Sequence, residues 1–193
     1  NPPYMGISSC NSKVKAFLKK VYFAAKNDLF SAFVERASDF SARNGLVGMI
    51  VQNSWMFLSR FESMRTNFLN LNSIVNLIHL GAHAFEEIGG EAVQTVAFIF
   101  APANIEDYIA KYIREVDINS SFEKESLYLK IASGAKESEL YMTSKRTFEL
   151  MPGSPVAYWI PLDAVEPFEE GKIWDVSVSA SQNVTGNNDK YLR

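Results

Sequence analysis

Two apolar runs of strand length, SIVNLIHLG (residues 73–81) and VQTVAFIFAP (93–102), are separated only by AHAFEEIGGEA. So short a connection leaves no room for a helical crossover, and its paired glycines favour a turn. The two runs therefore read as an antiparallel hairpin. Upstream, strands and helices alternate. Leu29, Phe30, Phe33, Val34, Ala37 and Phe40 recur at helical spacing within KVKAFLKKVYFAAKNDLFSAFVERASDFSARNG. This spacing predicts an amphipathic helix packed on a large surface and stopped at Asn44 and Gly45. LVGMIVQNS follows as a short β-branched run with the character of a buried strand, and WMFLSRFESMRTNFLNL as a second helix.

Loop, helix, strand, helix, strand, strand is the element order of the second half of an open α/β sheet. In such sheets ligands bind at the carboxyl ends of the strands, and a loop such as the opening NPPY belongs directly after one. The strand feeding Asn1, and the first half of the sheet, are expected outside this sequence. Beyond Pro102 the periodicity weakens into an irregular α+β extension. SSFEKESLYLKIAS reads as a capped helix, ELYMTS as a short strand, and MPGSPVAYWIPLDAVEPFEEG as a proline-interrupted surface segment. These readings divide the chain at residues 1–104 and 105–193.

The formal net charge of −3 gives no global attraction to nucleic acid, so any phosphate contact has to be local. A single cysteine, Cys10, forbids an internal disulfide and fits a reducing compartment. No apolar run reaches the length of a membrane span, and the opening residues lack a basic segment followed by a hydrophobic one. A cytoplasmic protein with no membrane partner is expected, and the glycosylation-like triplets at Asn119 and Asn183 read as chance matches. His79 and His83 are four apart, but no Cys or further His accompanies them, so no metal site is expected. Arg60, Arg65, Lys145 and Arg146 read as solvated surface charge.

NPPY on its own is a common connector. In this chain it is followed, in order, by GLVGMIVQNSWMFLSRFESMR, IVNLIHLGAHAFEEIGGEAVQTVAFIF, PGSPVAYWI and TGNNDKYLR. Together these resemble the adenine-specific (N6) DNA methyltransferases of the restriction-modification and BREX PglX type, over nearly the whole chain. The resemblance implies the second half of a Rossmann-like, SAM-dependent methyltransferase sheet in residues 1–104. It makes residues 105–193 an extension and linker toward a target-recognition domain.

It also implies site residues. The side-chain oxygen of Asn1 and the carbonyl of Pro2 would accept the two N–H groups of the target amine. Consecutive prolines stiffen that loop and remove backbone donors from it. Tyr4 would stack on a flipped adenine, and Phe85 would line the base pocket from the hairpin loop. Thr185, Gly186 and Asn188 would contact DNA in a linker turn, although Asn183 and Asn187 depart from the family pattern there. The donor the resemblance implies is S-adenosylmethionine. Its Gly-rich loop and acidic residue are absent from this sequence, so the donor site is expected mostly elsewhere.

The implied function is that of a fragment of a site-specific adenine methyltransferase acting on double-stranded DNA in restriction-modification or phage defence. Without the other half of its catalytic domain the fragment is expected to be inactive. An exposed sheet edge and an uncovered apolar face would make it self-associate. The alternative is a non-catalytic methylase-like remnant serving as a DNA-binding or protein-interaction module.

Overall fold

The structure, a computed structural model, describes residues 1–42, 44–85 and 93–170. The single long helix expected near the N-terminus is two helices, α1 (Ser12–Val21) and α2 (Leu29–Phe40). Each has its own N-cap: the Asn11 side chain accepts from the Val14 amide, and that of Asp28 from the Phe30 amide. Asp28 is the physical cause of the break, because a capping carboxylate starts a new helix where the apolar spacing alone ran through. α2 ends at Phe40, ahead of Asn44, which adopts a positive φ of 61°.

Strand β1 (Val47–Gln52) follows, then two 3₁₀ turns (Asn53–Met56 and Ser59–Phe61) and α3 (Glu62–Leu71). Next come β2 (Ser73–Gly81), β3 (Thr95–Ala101) and β4 (Ala110–Arg114). After them come α4 (Ser121–Ala132), β5 (Leu140–Thr143) and the single turns α5 (Arg146–Glu149) and α6 (Leu162–Val165). One sheet holds the five strands in the order β1-β3-β2-β4-β5. β3 runs antiparallel to both β1 and β2, while β2 and β4 are parallel. β1, β2 and β4 therefore point the same way, with their carboxyl ends at one edge. β4 and β5, which come from the segment read as an extension, continue the same sheet by hydrogen bonding to β2 and to each other.

The two faces of the sheet differ. On one, Met49, Phe98, Leu77 and Tyr112 form a cross-strand row beneath α2 and α3. Trp55 and Phe68 close over it, with Phe68 to Phe100 at 4.9 Å and Trp55 to Phe98 at 5.3 Å between ring centroids. Each such ring, fully buried, is worth roughly 1.5–3 kcal/mol of transfer free energy. Val156, Ala157 and Tyr158 join this core, and the Val156 amide donates to the Met56 carbonyl. The 156–158 run of PGSPVAYWI is thus interior rather than surface, because it fills the space beside Met56 and Tyr112, while Pro152 and Trp159 stay exposed.

On the other face the register aligns Ile50, Ala97, Ile78, Ile113 and Leu140 in a second apolar row. Among the described residues α4 overhangs it, through Tyr128 and Ile131, and Asn1 reaches its rim, which leaves a cavity of about 770 Å³.

Candidate functional site

The NPPY loop is fixed to α2 by a short ladder. The Met5 amide donates to Asp28 Oδ1 at 3.0 Å, the Leu29 amide to the Met5 carbonyl at 2.9 Å, and the Ile7 amide to the Asn27 carbonyl at 3.0 Å. Asp28 thus caps a helix and anchors the loop with the same carboxylate. Pro2 is buried, Asn1 and Pro3 are exposed, and Tyr4 is half-buried. The Tyr4 ring meets Phe30 edge-on at 6.0 Å and its hydroxyl lies 3.5 Å from the Ile50 carbonyl. Burial pushes the Tyr4 phenol up from its usual value. These contacts set the loop beside β1, the terminal strand of the sheet. Among the described residues, neither the Asn1 side chain nor the Pro2 carbonyl takes part in any hydrogen bond.

Phe85 lies just past the carboxyl end of β2, after Gly81 and His83, both at positive φ. It is half-buried, stacks on no other described ring, and is absent from the apolar side chains packed on the core. β3 separates β1 from β2, so the strand beside Tyr4 and the strand that precedes Phe85 are roughly 10 Å apart. Thr185, Gly186 and Asn188 lie outside the described residues.

The carboxyl edge also carries a network that spacing in the sequence did not reveal. Asn53 Nδ2 is 2.9 Å from His79 Nε2 and 3.2 Å from Gln94 Oε1, and His79 Nδ1 is 3.1 Å from the Tyr158 hydroxyl. An amide nitrogen only donates, so Nε2 accepts and the proton of the neutral ring sits on Nδ1, donated to Tyr158. His79 is held down at about 4, first by burial and then by Arg114 and Lys124, which keeps it neutral. Tyr158 stacks on Tyr112 at 5.0 Å, and Trp159 packs against Phe57 at 5.6 Å. The signal for this hub was a His inside an apolar strand, which demands a partner for each ring nitrogen.

Two buried cations lie nearby. Lys124 is 3% exposed and donates to the Leu80 and Glu115 carbonyls, tying the ends of β2 and β4 together. Glu115 beside it is 1% exposed, with Oε1 lacking any partner, and burial pushes its carboxyl up to about 7 against the pull of Lys124. Arg65, expected at the surface, is 2% exposed. Its guanidinium donates to the carbonyls of Trp55, Leu58, Gly153 and Ser154. It is interior because the 3₁₀ turns and the Gly153 loop turn several carbonyls inward, and only a forked, multi-donor cation satisfies them together.

The open-face cavity, which Asn1 also lines, has Asn76, Lys111, Tyr128 and Lys136 as polar members and, among the described residues, no carboxylate. Ribose hydroxyls would find no acidic partner there, and the lysines would repel a sulfonium. The described residues do not assemble a donor site. Their chemistry is that of an acceptor loop, aromatic rings and a rigid sheet edge.

Residues 1–85 match the Eco57I restriction-modification methylase family. The whole chain aligns at 37% identity with the adenine-specific methyltransferase PglX of Lacticaseibacillus casei (strain Zhang). It aligns at 33% with the adenine-specific methyltransferase BrxX of Escherichia coli O9:H4 (strain HS). The chain spans 16% of the length of each of these curated relatives. Among solved structures, the type IIG restriction endonuclease BpuSI superposes on 82% of this chain, and the chain on 20% of it, with a TM-score of 0.53 at 12% identity. The DrdV–DNA complex gives 81%, 17% and 0.53 at 18% identity. These two show a shared mixed α/β fold. The opening loop, the sheet and the full-length sequence similarity agree: the chain is similar, from end to end, to a stretch of adenine-specific methyltransferases, and its first 85 residues match the restriction-modification methylase family.

Proposed function

We propose that the protein carrying this chain is a site-specific DNA methyltransferase that methylates adenine N6, and that this chain supplies the acceptor side of its active site. The reading is carried by one observation: the Asn1 side chain and the Pro2 carbonyl are unengaged acceptors on a loop that Asp28 pins in place. The amine lone pair of adenine is delocalised into the ring. An enzyme that accepts both N–H groups fixes the amine and turns that lone pair out of the ring, toward a methyl donor. Asn1 Oδ1 and the Pro2 carbonyl are the two acceptors, and Tyr4 and Phe85 flank the flipped base. S-adenosylmethionine supplies an electrophilic methyl group when bound, through residues of the parent protein beyond those described.

The other half of the catalytic domain covers the open face of the sheet and pairs with the edge of β1 that no described residue occupies. Residues 1–104 supply the catalytic part of the sheet, which β4 and β5 of the extension continue. Residues 105–193 lead toward target recognition, with Thr185, Gly186 and Asn188 contacting DNA. The setting is a restriction-modification or phage-defence system in the cytoplasm. No helix among the described residues is long and apolar enough to cross a membrane.

The lack of a carboxylate in the cavity favours a second reading, a methylase-like remnant that binds DNA or protein without catalysis. Asn1→Ala in the intact protein separates the two. As an enzyme it loses labelled-methyl transfer to duplex DNA by about 10²-fold or more while keeping its affinity for DNA. As a remnant it has no transfer to lose, whichever residue stands at position 1.

A further inference from the structure

Residues 1–27 contain five lysines, at 13, 15, 19, 20 and 26, and no Asp or Glu, in a chain whose net charge is −3. The fold isolates this segment. Hydrogen bonds join Met5 to Leu29 and Ile7 to Asn27, and Gly6 bridges Asp28, so residues 8–26 form an excursion with a closed neck. The neck is the base of the NPPY loop.

Within the excursion α1 touches the core chiefly through Leu18, its one buried residue. Lys13 and Lys20, seven residues apart, stand one above the other on the outward face, Lys19 flanks them, and all three are exposed. Lys15 donates to the Ser8 carbonyl and Lys26 sits over the Phe23 ring at 3.3 Å. Among the described residues the ion pairs involve Arg36, Arg114, Lys145 and Arg146, and none of the five lysines. The densest positive charge in the chain is thus unneutralised and displayed from the base of the loop that would receive the target base.

We infer that the outward face of α1 binds the phosphate backbone of duplex DNA beside the flipped base. Lys13 and Lys20 are about 10 Å apart along the helix, a run that spans two or three phosphates of one strand. The contact carries no sequence information: it holds the strand while the NPPY loop receives the base. The inference rests on the proposed methyltransferase reading only for the identity of the nucleic acid.

The test uses the intact protein with the triple substitution Lys13→Gln, Lys19→Gln and Lys20→Gln. Glutamine keeps the helix propensity, and none of the three side chains is buried. Lys130→Gln, on α4, serves as a control for charge removed elsewhere. Binding to duplexes of unrelated sequence is followed as KCl is raised. The slope of log K against log salt should become shallower by about 2, equally for every duplex, with the control unchanged.

An unchanged slope and affinity overturns the inference. So does unchanged DNA binding combined with loss of an acidic protein partner. The fate of the enzyme reading is separate. If the parent protein methylates nothing yet the triple substitution flattens the salt slope, methyl transfer falls and the phosphate surface stands. If methyl transfer is intact and the slope does not move, only the surface falls.

Discussion

Arg65 and Glu115 are charged residues that the fold has taken inside, and each makes a prediction. Removing the Arg65 fork in Arg65→Leu strands carbonyls of three segments at once, so it should destabilise the chain by about 3 kcal/mol or more in urea melts. A loss below about 1 kcal/mol would mean that water replaces the guanidinium. Glu115, pushed up to about 7, holds a proton when folded that the unfolded chain releases above its usual 4.5. Its contribution is full below 4.5 and is lost as pH rises through 7. His79, held at about 4, refuses a proton that the unfolded ring takes up below 6.5. Its contribution is full above 6.5 and is lost as pH falls toward 4. The two oppose each other between pH 4.5 and 6.5, and the wild-type stability should be nearly flat there. Glu115→Gln removes one of them, so its stability should climb with pH across that window by roughly 1–3 kcal/mol relative to wild type. Parallel curves would show that Glu115 is already ionised in the fold.

At the level of elements, Asp28 joins helix capping to loop placement. Asp28→Ala should cost about 1–2 kcal/mol for the lost cap, and should also release Met5, making residues 1–7 a preferred site of limited proteolysis. Stability lost without new cleavage at the loop would assign Asp28 to the helix alone. How much of this was legible in the sequence varies by element. β2, β3, α4 and β5 fall where their residue patterns put them, since long apolar alternation and a Ser120 cap are local signals. β4 was missed because AKYIR is short and carries two cations; it is a strand only because β2 and β5 pair with it on either side. The break between α1 and α2 was readable in Asn27-Asp28 but was overridden by continuous apolar spacing. At the candidate site, the NPPY loop and Phe85 were marked by motif, whereas the Asn53–His79–Tyr158 chain depends on residues 26 and 79 positions apart meeting in space.

Across the whole molecule, the open row Ile50, Ala97, Ile78, Ile113 and Leu140 and the edge of β1 that no described residue pairs with favour association of the chain when it is isolated. Sedimentation should show it, and Ile78→Lys, at the middle of that row, should shift the chain toward monomer. If the variant associates as strongly as wild type, the contact lies elsewhere. The position of β3 also governs when the sheet can form during synthesis. β1 and β2 are made first but are not neighbours: each needs β3 between them, antiparallel to both. Until residue 101 has emerged from the ribosome, β1 and β2 lack the strand that joins them, and the aromatic cluster lacks Phe98 and Phe100. The last-made strand of the first three acts as the keystone, so this region is a late-folding segment dependent on distant contacts, and a translational pause before residue 101 would leave it exposed to proteases.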